Sequence, residues 1–250
     1  MTHERQPKKV ILFPTCLVDL MFPDAARAAE RVLGRAGCNV DFRAQAVCCG
    51  QPAWNSGHVE AARRVARGTL EALRGAEPIV TCSGSCTTMI QHYWPELFED
   101  TPLESAARDV AARVREFSSF VAELISLLPE LRSARVVTYH DSCHMLRGLG
   151  IKDAPRDLLG AIDGLELREM EGSERCCGFG GTFSIRYPEL SCAMADEKVD
   201  DAASTGATTV VASDIGCLMH ICGRADARGV ALEGRYIAEI LEGSMEEGVP

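Results

Sequence analysis

Two adjacent cysteines followed by glycine, Cys48-Cys49-Gly50, return further along the chain as Cys176-Cys177-Gly178. Neighbouring side chains on an extended strand point to opposite faces, so two adjacent thiols serving one site require a turn, and glycine supplies the positive φ that a turn uses. A vicinal disulfide at such a pair is sterically strained. A lone tetrahedral zinc prefers ligands spaced as Cys-x-x-Cys, whereas a multi-iron cluster can take two adjacent thiolates on different iron atoms. The pairs therefore point to an iron-sulfur cluster before zinc.

Further cysteines extend each pair into a set. Between Cys16 and Cys48 lie 31 residues, and 32 more separate Cys49 from Cys82, with Cys86 just beyond. The later set is Cys143, Cys176, Cys177 and Cys217, with Ser213 where Cys82 would fall and Cys222 five residues past Cys217. Cys143 follows Cys16 by 127 residues, Cys176 follows Cys48 by 128, and Cys217 follows Cys86 by 131 when Ser83-Gly84-Ser85-Cys86 is laid on Asp214-Ile215-Gly216-Cys217. A near-constant offset over three anchors marks an internal duplication, with the drift absorbed in loops. A single free cysteine reads most simply as packing, because cysteine is among the most buried residue types. Cys38 and Cys192 have no counterpart in the other half and are read that way.

Thiolate ligation also needs hydrogen-bond donors, and glycine-rich flanks offer backbone N–H groups aimed at sulfur. Gly178-Phe179-Gly180-Gly181-Thr182 and Ser83-Gly84-Ser85 fit that role. The former fails the dinucleotide pattern at Phe183 and is not followed by the Gly-Lys-Ser/Thr of a phosphate loop. His140, His144 and His220 lie beside cysteine anchors and could tune or ligate a cluster, each reading first as a donor near it or as a satisfied surface residue, and Asp141 is too isolated to be a general base.

The elements that position these residues alternate. Val10-Ile11-Leu12-Phe13 is a buried strand ended by Pro14-Thr15-Cys16, a helix covers 24–35, and a second strand over 39–46 runs into Cys48. The next helix buries Val59, Ala62, Val65, Ala66, Leu70 and Leu73 on one stripe, and a third strand, 78–81, leads into Cys82. Thr101-Pro102-Leu103-Glu104 reads as a capping box opening one long helix, whose apolar face (Phe117, Phe120, Val121, Leu124, Ile125, Leu128) packs between the halves. After Ser133 the pattern restarts, with strands at 135–139, 165–170 and 208–212 and helices at 153–163 and 188–205. Strand-helix alternation implies right-handed βαβ units, and parallel sheets place their sites outside the carboxyl ends of the strands. The expected fold is α/β, two tandem repeated βαβαβ-type units with parallel sheets and the cysteine clusters at the strand carboxyl ends. The units span 8–132, with a linking helix, and 133–243.

Composition narrows the classes. The 250 residues, 46% hydrophobic, can bury a core without disulfides, and twelve cysteines point to chemistry in a reducing compartment. Met1 to Lys9 is polar and basic, and no apolar run approaches the roughly 20 residues of a membrane span, so the expectation is a cytoplasmic protein. A net charge of −10 argues against a nucleic-acid partner.

With Pro14-Thr15-Cys16, Cys48-Cys49-Gly50-Gln51-Pro52, Ser83-Gly84-Ser85-Cys86, His140-Asp141-Ser142-Cys143-His144, Cys176 through Phe183 and Gly216 through Ile221 in this order, the chain resembles the cysteine-rich CCG-domain iron-sulfur proteins, in particular their lactate utilization protein A group. That resemblance implies a cytosolic iron-sulfur subunit that works with companion proteins in oxidising L-lactate to pyruvate. It implies iron-sulfur clusters, [4Fe-4S] and one per repeat, held by Cys16, Cys48, Cys49 and Cys86 and by Cys143, Cys176, Cys177 and Cys217, with Cys82 as a fifth candidate in the first set. The same domain occurs in the cysteine-rich subunit of heterodisulfide reductase, whose clusters are non-cubane and close on Cys-x-x-Cys, and in iron-sulfur subunits of glycolate and glycerol-3-phosphate dehydrogenases. Here the first half closes on Cys-x-x-x-Cys and the second on Cys217 alone, and the ferredoxin-type run of longer relatives is missing. Electrons therefore come from, or go to, a separate subunit. The readings of other classes are a zinc-stabilised binding module and a thiol-disulfide enzyme using the vicinal pairs.

Overall fold

The computed structural model describes residues 8–246, so the reading of residues 1–7 lies outside the described residues. Val10 to Phe13 have no exposed surface, as expected of a strand covered on both faces. That strand, β1 (Lys8–Phe13), pairs in parallel with β2 (Cys38–Phe42) on one side and β3 (Ile79–Thr81) on the other, and β3 pairs with β4 (Val114–Glu116). The second half repeats the scheme with β5 (Val136–His140), β6 (Glu166–Leu167), β7 (Thr209–Ala212) and β8 (Glu233–Tyr236). The two sheets have matching orders, β2-β1-β3-β4 and β6-β5-β7-β8, with every pair parallel. Phe13 lies opposite Thr81 in the first sheet and His140 opposite Ala212 in the second, so the duplication extends to register.

The fourth strand of each sheet is an addition to the expected units, and it overturns the single long helix. The chain forms a helix over Glu104–Arg113, then β4, then a short helix over Phe117–Ala122. Val114 and Glu116 are buried by pairing with β3, and sheet completion wins over the helical pattern that brackets them. The expected capping box does not form: the helix starts at Glu104 behind Leu103 without a side-chain cap, and the same residues instead brace the preceding turn, Leu103 N donating to Thr101 Oγ1 and Asp100 N to Glu104 Oε2. The second strand ends at Phe42, short of residue 46. Val59 and Val65 are exposed on the helix Val59–Ala72, whose buried stripe is Ala62, Ala66, Thr69 and Leu70.

The halves interlock. The helix Phe117–Ala122, which follows β4, packs on Asp153–Gly160 of the second half, and Ile237–Glu246, which follows β8, packs on Pro23–Arg35 of the first. Arg31 forms a two-pronged ion pair with Glu242 across the latter contact. One apolar core accordingly runs through both halves, from Val10 and Phe117 to Tyr236 and Leu241.

Glu116 ends β4 inside this junction and caps the following helix, accepting from Ser118 Oγ and Ser119 N. Burial pushes its carboxyl up to about 7, with Asp214 adding to the shift. Below the ordinary carboxylate range both folded and unfolded chains hold the proton, so the group costs nothing. As pH rises towards 7 the unfolded chain ionises first and stability falls, then levels off once the folded chain ionises too. Glu116→Gln is therefore expected to raise unfolding free energy above pH 7 by up to about 3 kcal/mol, with the gain vanishing near pH 4 in denaturant titrations. An equal gain at both pH values would contradict the burial account.

Candidate functional site

Both cysteine sets lie outside the carboxyl ends of the strands. Cys16 opens the helix Cys16–Met21 directly after β1, behind Thr15, whose φ of 80° and ψ of 160° fall in a region nearly reserved for glycine. Such a residue costs on the order of 1–3 kcal/mol and persists only where its surroundings enforce it. Cys86 sits in the short helix Gly84–Thr88 after β3, its N–H capped by Ser83 Oγ at 3.2 Å, and Cys217 sits in the first turn of Ile215–Arg228 after β7. Those two helix starts meet across the halves: Gly84 N donates to Ser213 O, and Asp214 Oδ2 accepts from Ser85 N at 2.8 Å, Ser83 Oγ at 3.3 Å and Ser142 Oγ at 3.4 Å.

The paired cysteines sit in matching turns. Gly50 (φ 88°) and Gly178 (φ 85°) take the positive φ expected of them. A Cβ would meet Ala62 O at 2.8 Å in one and Ser191 O at 2.7 Å in the other, so each glycine also lets its turn rest on a helix. Each glycine N–H points at the first thiol of its pair, Gly50 N to Cys48 Sγ at 3.5 Å and Gly178 N to Cys176 Sγ at 3.4 Å. The first turn is held by Thr69 Oγ1, which accepts from Val47 N and Cys48 N and donates to Cys48 O, and by Trp94 Nε1 donating to Cys49 O. In the second, Lys198 Nζ takes the carbonyls of Gly172 and Ser173, and Ser191 Oγ donates to Gly178 O.

Within each half the thiols form a connected quartet. Cys16 contacts Cys48, Cys48 contacts Cys49, and Cys49 Sγ lies 3.2 Å from Cys86 Sγ; the second quartet runs Cys143, Cys176, Cys177, Cys217. Cys48 is held far below the ordinary thiol range by hydrogen bonds from Cys16, Cys49 and Gly50 N, and Cys176 likewise by Cys143, Cys177 and Gly178 N. Each proton donor is pushed up in turn: Cys16 by its bond to Cys48 and by burial, Cys143 by its bond to Cys176 and by burial. All twelve cysteines are free thiols. The quartets face one crevice between the halves, lined by every quartet member but Cys48 together with Ser83, Ser142, Phe179 and Asp214.

A family model described as "Cysteine-rich domain" (CCG) matches residues 10–91 and 137–222, one copy around each quartet. The chain belongs to the CCG cysteine-rich domain family. It is 44% identical over 235 residues to lactate utilization protein A 2 of Bacillus mycoides (strain KBAB4), covering 93% of this chain and 98% of that protein. Identity and coverage are the same for lactate utilization protein A of Bacillus thuringiensis (strain Al Hakam). Among solved structures, a hypothetical protein from Helicobacter pylori shares the fold at a TM-score of 0.65 and 12% identity, over 98% of this chain and 50% of that one. A cysteine pattern of this CCG kind suits metal or iron-sulfur binding. No helix among the described residues is long and apolar enough to cross a membrane.

The remaining candidates separate clearly around the two CCG domains. Cys82 does not line the crevice: it is fully buried one residue before the Ser83 cap, against Tyr236 of the second half, and burial pushes its thiol up. Cys38 is buried at the start of β2, Cys192 lies in the helix Pro188–Ser204, and Cys222 is half-buried and pushed up to about 11 by burial. None of the three reaches the crevice. His144 lines it, with Nδ1 3.8 Å from Cys143 Sγ, whereas His220 Nε2 pairs with Ser191 Oγ at 3.0 Å beside the second CCG turn. Asp141 is buried and clamped by both Arg156 Nη atoms at 2.8 and 2.9 Å, which leaves it a structural counter-ion. His140 is fully buried, and burial, then the nearby Lys198 cation, lower its imidazole to about 3 against the opposing pull of Asp141, Cys176 and the Ser173 carbonyl.

Asp214, Thr69, Trp94 and Lys198 were not anticipated as supports. Asp214 carried a signal, since the repeat lays it on the Ser83 cap. The other three lie on helices where nothing in their spacing points towards a cysteine turn.

Proposed function

We propose that each quartet holds one iron-sulfur cluster, of the [4Fe-4S] type, and that the chain is an electron-transfer subunit of a multi-subunit system that oxidises L-lactate. The observation that carries this reading is the pair of symmetry-related thiol quartets opening on one shared crevice. The donor set fits the group: four soft thiols per half, a glycine N–H aimed at sulfur in each turn, and, beside the second quartet, a buried imidazole without a hydrogen bond of good geometry among the described residues. Cys16, Cys48, Cys49 and Cys86 would hold the first cluster, and Cys143, Cys176, Cys177 and Cys217 the second. A bound cluster supplies one-electron storage at a potential set by its ligands, hydrogen bonds and exposure.

The chain's own residues fix the thiols and shield them. Thr69, Trp94 and Lys198 lock the turns, Asp214 ties the two helix starts together, and Phe179 lines the crevice beside the second set. Cys82, packed away from the crevice, supports four thiols per cluster rather than five. The lactate assignment comes from the relatives' name, and the companion subunits would supply the organic chemistry.

Cys38→Ser and Cys192→Ser are expected to leave the iron content of anaerobically purified protein unchanged, because neither thiol reaches a quartet. Loss of iron in either variant, with the fold intact by circular dichroism, would show that the ligand set is drawn wrongly.

A further inference from the structure

The two sites match in thiols, turns and glycines, but not in what lies beneath them. Three residues before the first thiol of each set, the last residue of the strand is Phe13 in the first half and His140 in the second. Both are fully buried. Phe13 packs in an apolar cluster with Cys49 and Cys86 and offers sulfur no donor. A nitrogen of the His140 ring and the sulfurs of Cys177 and Cys217 all lie within 4.8 Å of one another.

Among the described residues neither His140 nitrogen has a hydrogen-bond partner of good geometry, and the Ser173 carbonyl nearby exerts only the weakest of the pulls on the ring. A buried polar group left in that state costs about 1–3 kcal/mol, and native structures rarely keep one without a use. The backbone acceptor beside the ring is the Ser173 carbonyl, and it already accepts from Asp141 N at 3.1 Å and Lys198 Nζ at 3.3 Å, which occupies both its lone pairs. Of the groups placed beside the ring, the sulfurs of Cys177 and Cys217 remain as acceptors for an imidazole N–H.

A second substitution has the same sense. Gly50 rests on Ala62 and Gly178 on Ser191, which places Thr69 and Lys198 at equivalent points on their helices, each holding the chain just before its cysteine pair. A neutral hydroxyl in the first half is thus replaced by the Lys198 cation in the second.

We propose that His140 is a positioning residue that donates an N–H···S hydrogen bond to the second cluster and holds its potential above that of the first. This rests on the reading that each quartet binds a cluster. A hydrogen bond to ligand sulfur stabilises the more negative, reduced state, and the first site has no equivalent. Electrons shared between the two sites therefore settle on the second.

The test is a redox titration of the anaerobic full-length protein, followed by electron paramagnetic resonance. The wild type is expected to show two midpoints. Cys86→Ser, which keeps the second site, should retain the higher one. His140→Phe, the residue of the first half, should lower that midpoint alone, by roughly tenfold in the reduction equilibrium or about 59 mV for one electron. Equal midpoints, a higher midpoint retained in Cys217→Ser, or an unshifted His140→Phe variant would each overturn the proposal. If His140→Phe fails to assemble its second cluster, pulsed resonance on Cys86→Ser protein labelled with 15N-histidine decides. A weak nitrogen coupling with an exchangeable proton supports the hydrogen bond, whereas no coupling, or the strong coupling of an iron-bound nitrogen, overturns it. Absence of any cluster in the wild type would instead defeat the reading on which the proposal rests.

Discussion

Cys86→Ser and Cys217→Ser are each expected to remove one cluster, halving the iron content and abolishing one of two resonance signals while leaving the other. Serine keeps the shape of cysteine, so the helix starts at Gly84 and Ile215 should survive, and with them the tie through Asp214. What changes is the donor. A hydroxyl stays protonated at neutral pH and is a hard oxygen, whereas the neighbouring thiols are soft and one in each quartet, Cys48 or Cys176, is acidified by hydrogen bonds from the others. Three remaining thiols leave one iron without a protein thiolate, which labilises that iron and the centre with it. Because the quartets share no residue, the loss should stay in one half. Loss of both signals from either variant would mean that the two sets build a single centre across the crevice.

The isolated chain is expected to show no lactate turnover with an artificial electron acceptor, and turnover should appear when the companion subunits are added. Taking hydride from a secondary alcohol belongs to an organic cofactor or to another protein, and this sequence has no flavin or nicotinamide fingerprint. The crevice adds a structural reason. Its lining is thiol, glycine, hydroxyl and apolar surface with the Gln51 and Asn55 amides, the His144 imidazole and the Asp214 carboxylate, and among the described residues no arginine or lysine lines it to hold a substrate carboxylate. Lactate oxidation by the purified chain alone would overturn this division of labour. Co-purification with glycolate or glycerol-3-phosphate dehydrogenase subunits would keep the electron-transfer role and change the substrate.

The grouping of the thiols was legible in the sequence because two adjacent thiols facing one site need a glycine turn, and the duplication repeats each anchor at nearly constant offset. The central strands were legible because burial on both faces gives continuous apolar runs such as Val10–Phe13 and Val210–Ala212. The outer strands β4 and β8 were not, since Val114–Glu116 and Glu233–Tyr236 are short, carry charges and lack alternation. Residues 104–128 read as one helix because both pieces are helical, while pairing with β3 is a long-range effect that no window of neighbours contains. Cys82 illustrates the limit of spacing. It lies four residues from Cys86, but the chain is still extended there, at φ −159° for the next residue Ser83, and its side chain turns into the junction instead of the crevice. The exchange of terminal helices between the halves, and the hold of Lys198 on the Ser173 carbonyl, likewise depend on three-dimensional register.

The most direct test is the composition of the protein purified without oxygen. Two [4Fe-4S] clusters predict about eight iron atoms and eight acid-labile sulfides per chain, with a broad visible absorbance that bleaches on reduction. Near-stoichiometric zinc with no acid-labile sulfide would contradict the account and leave a zinc-stabilised binding module in its place.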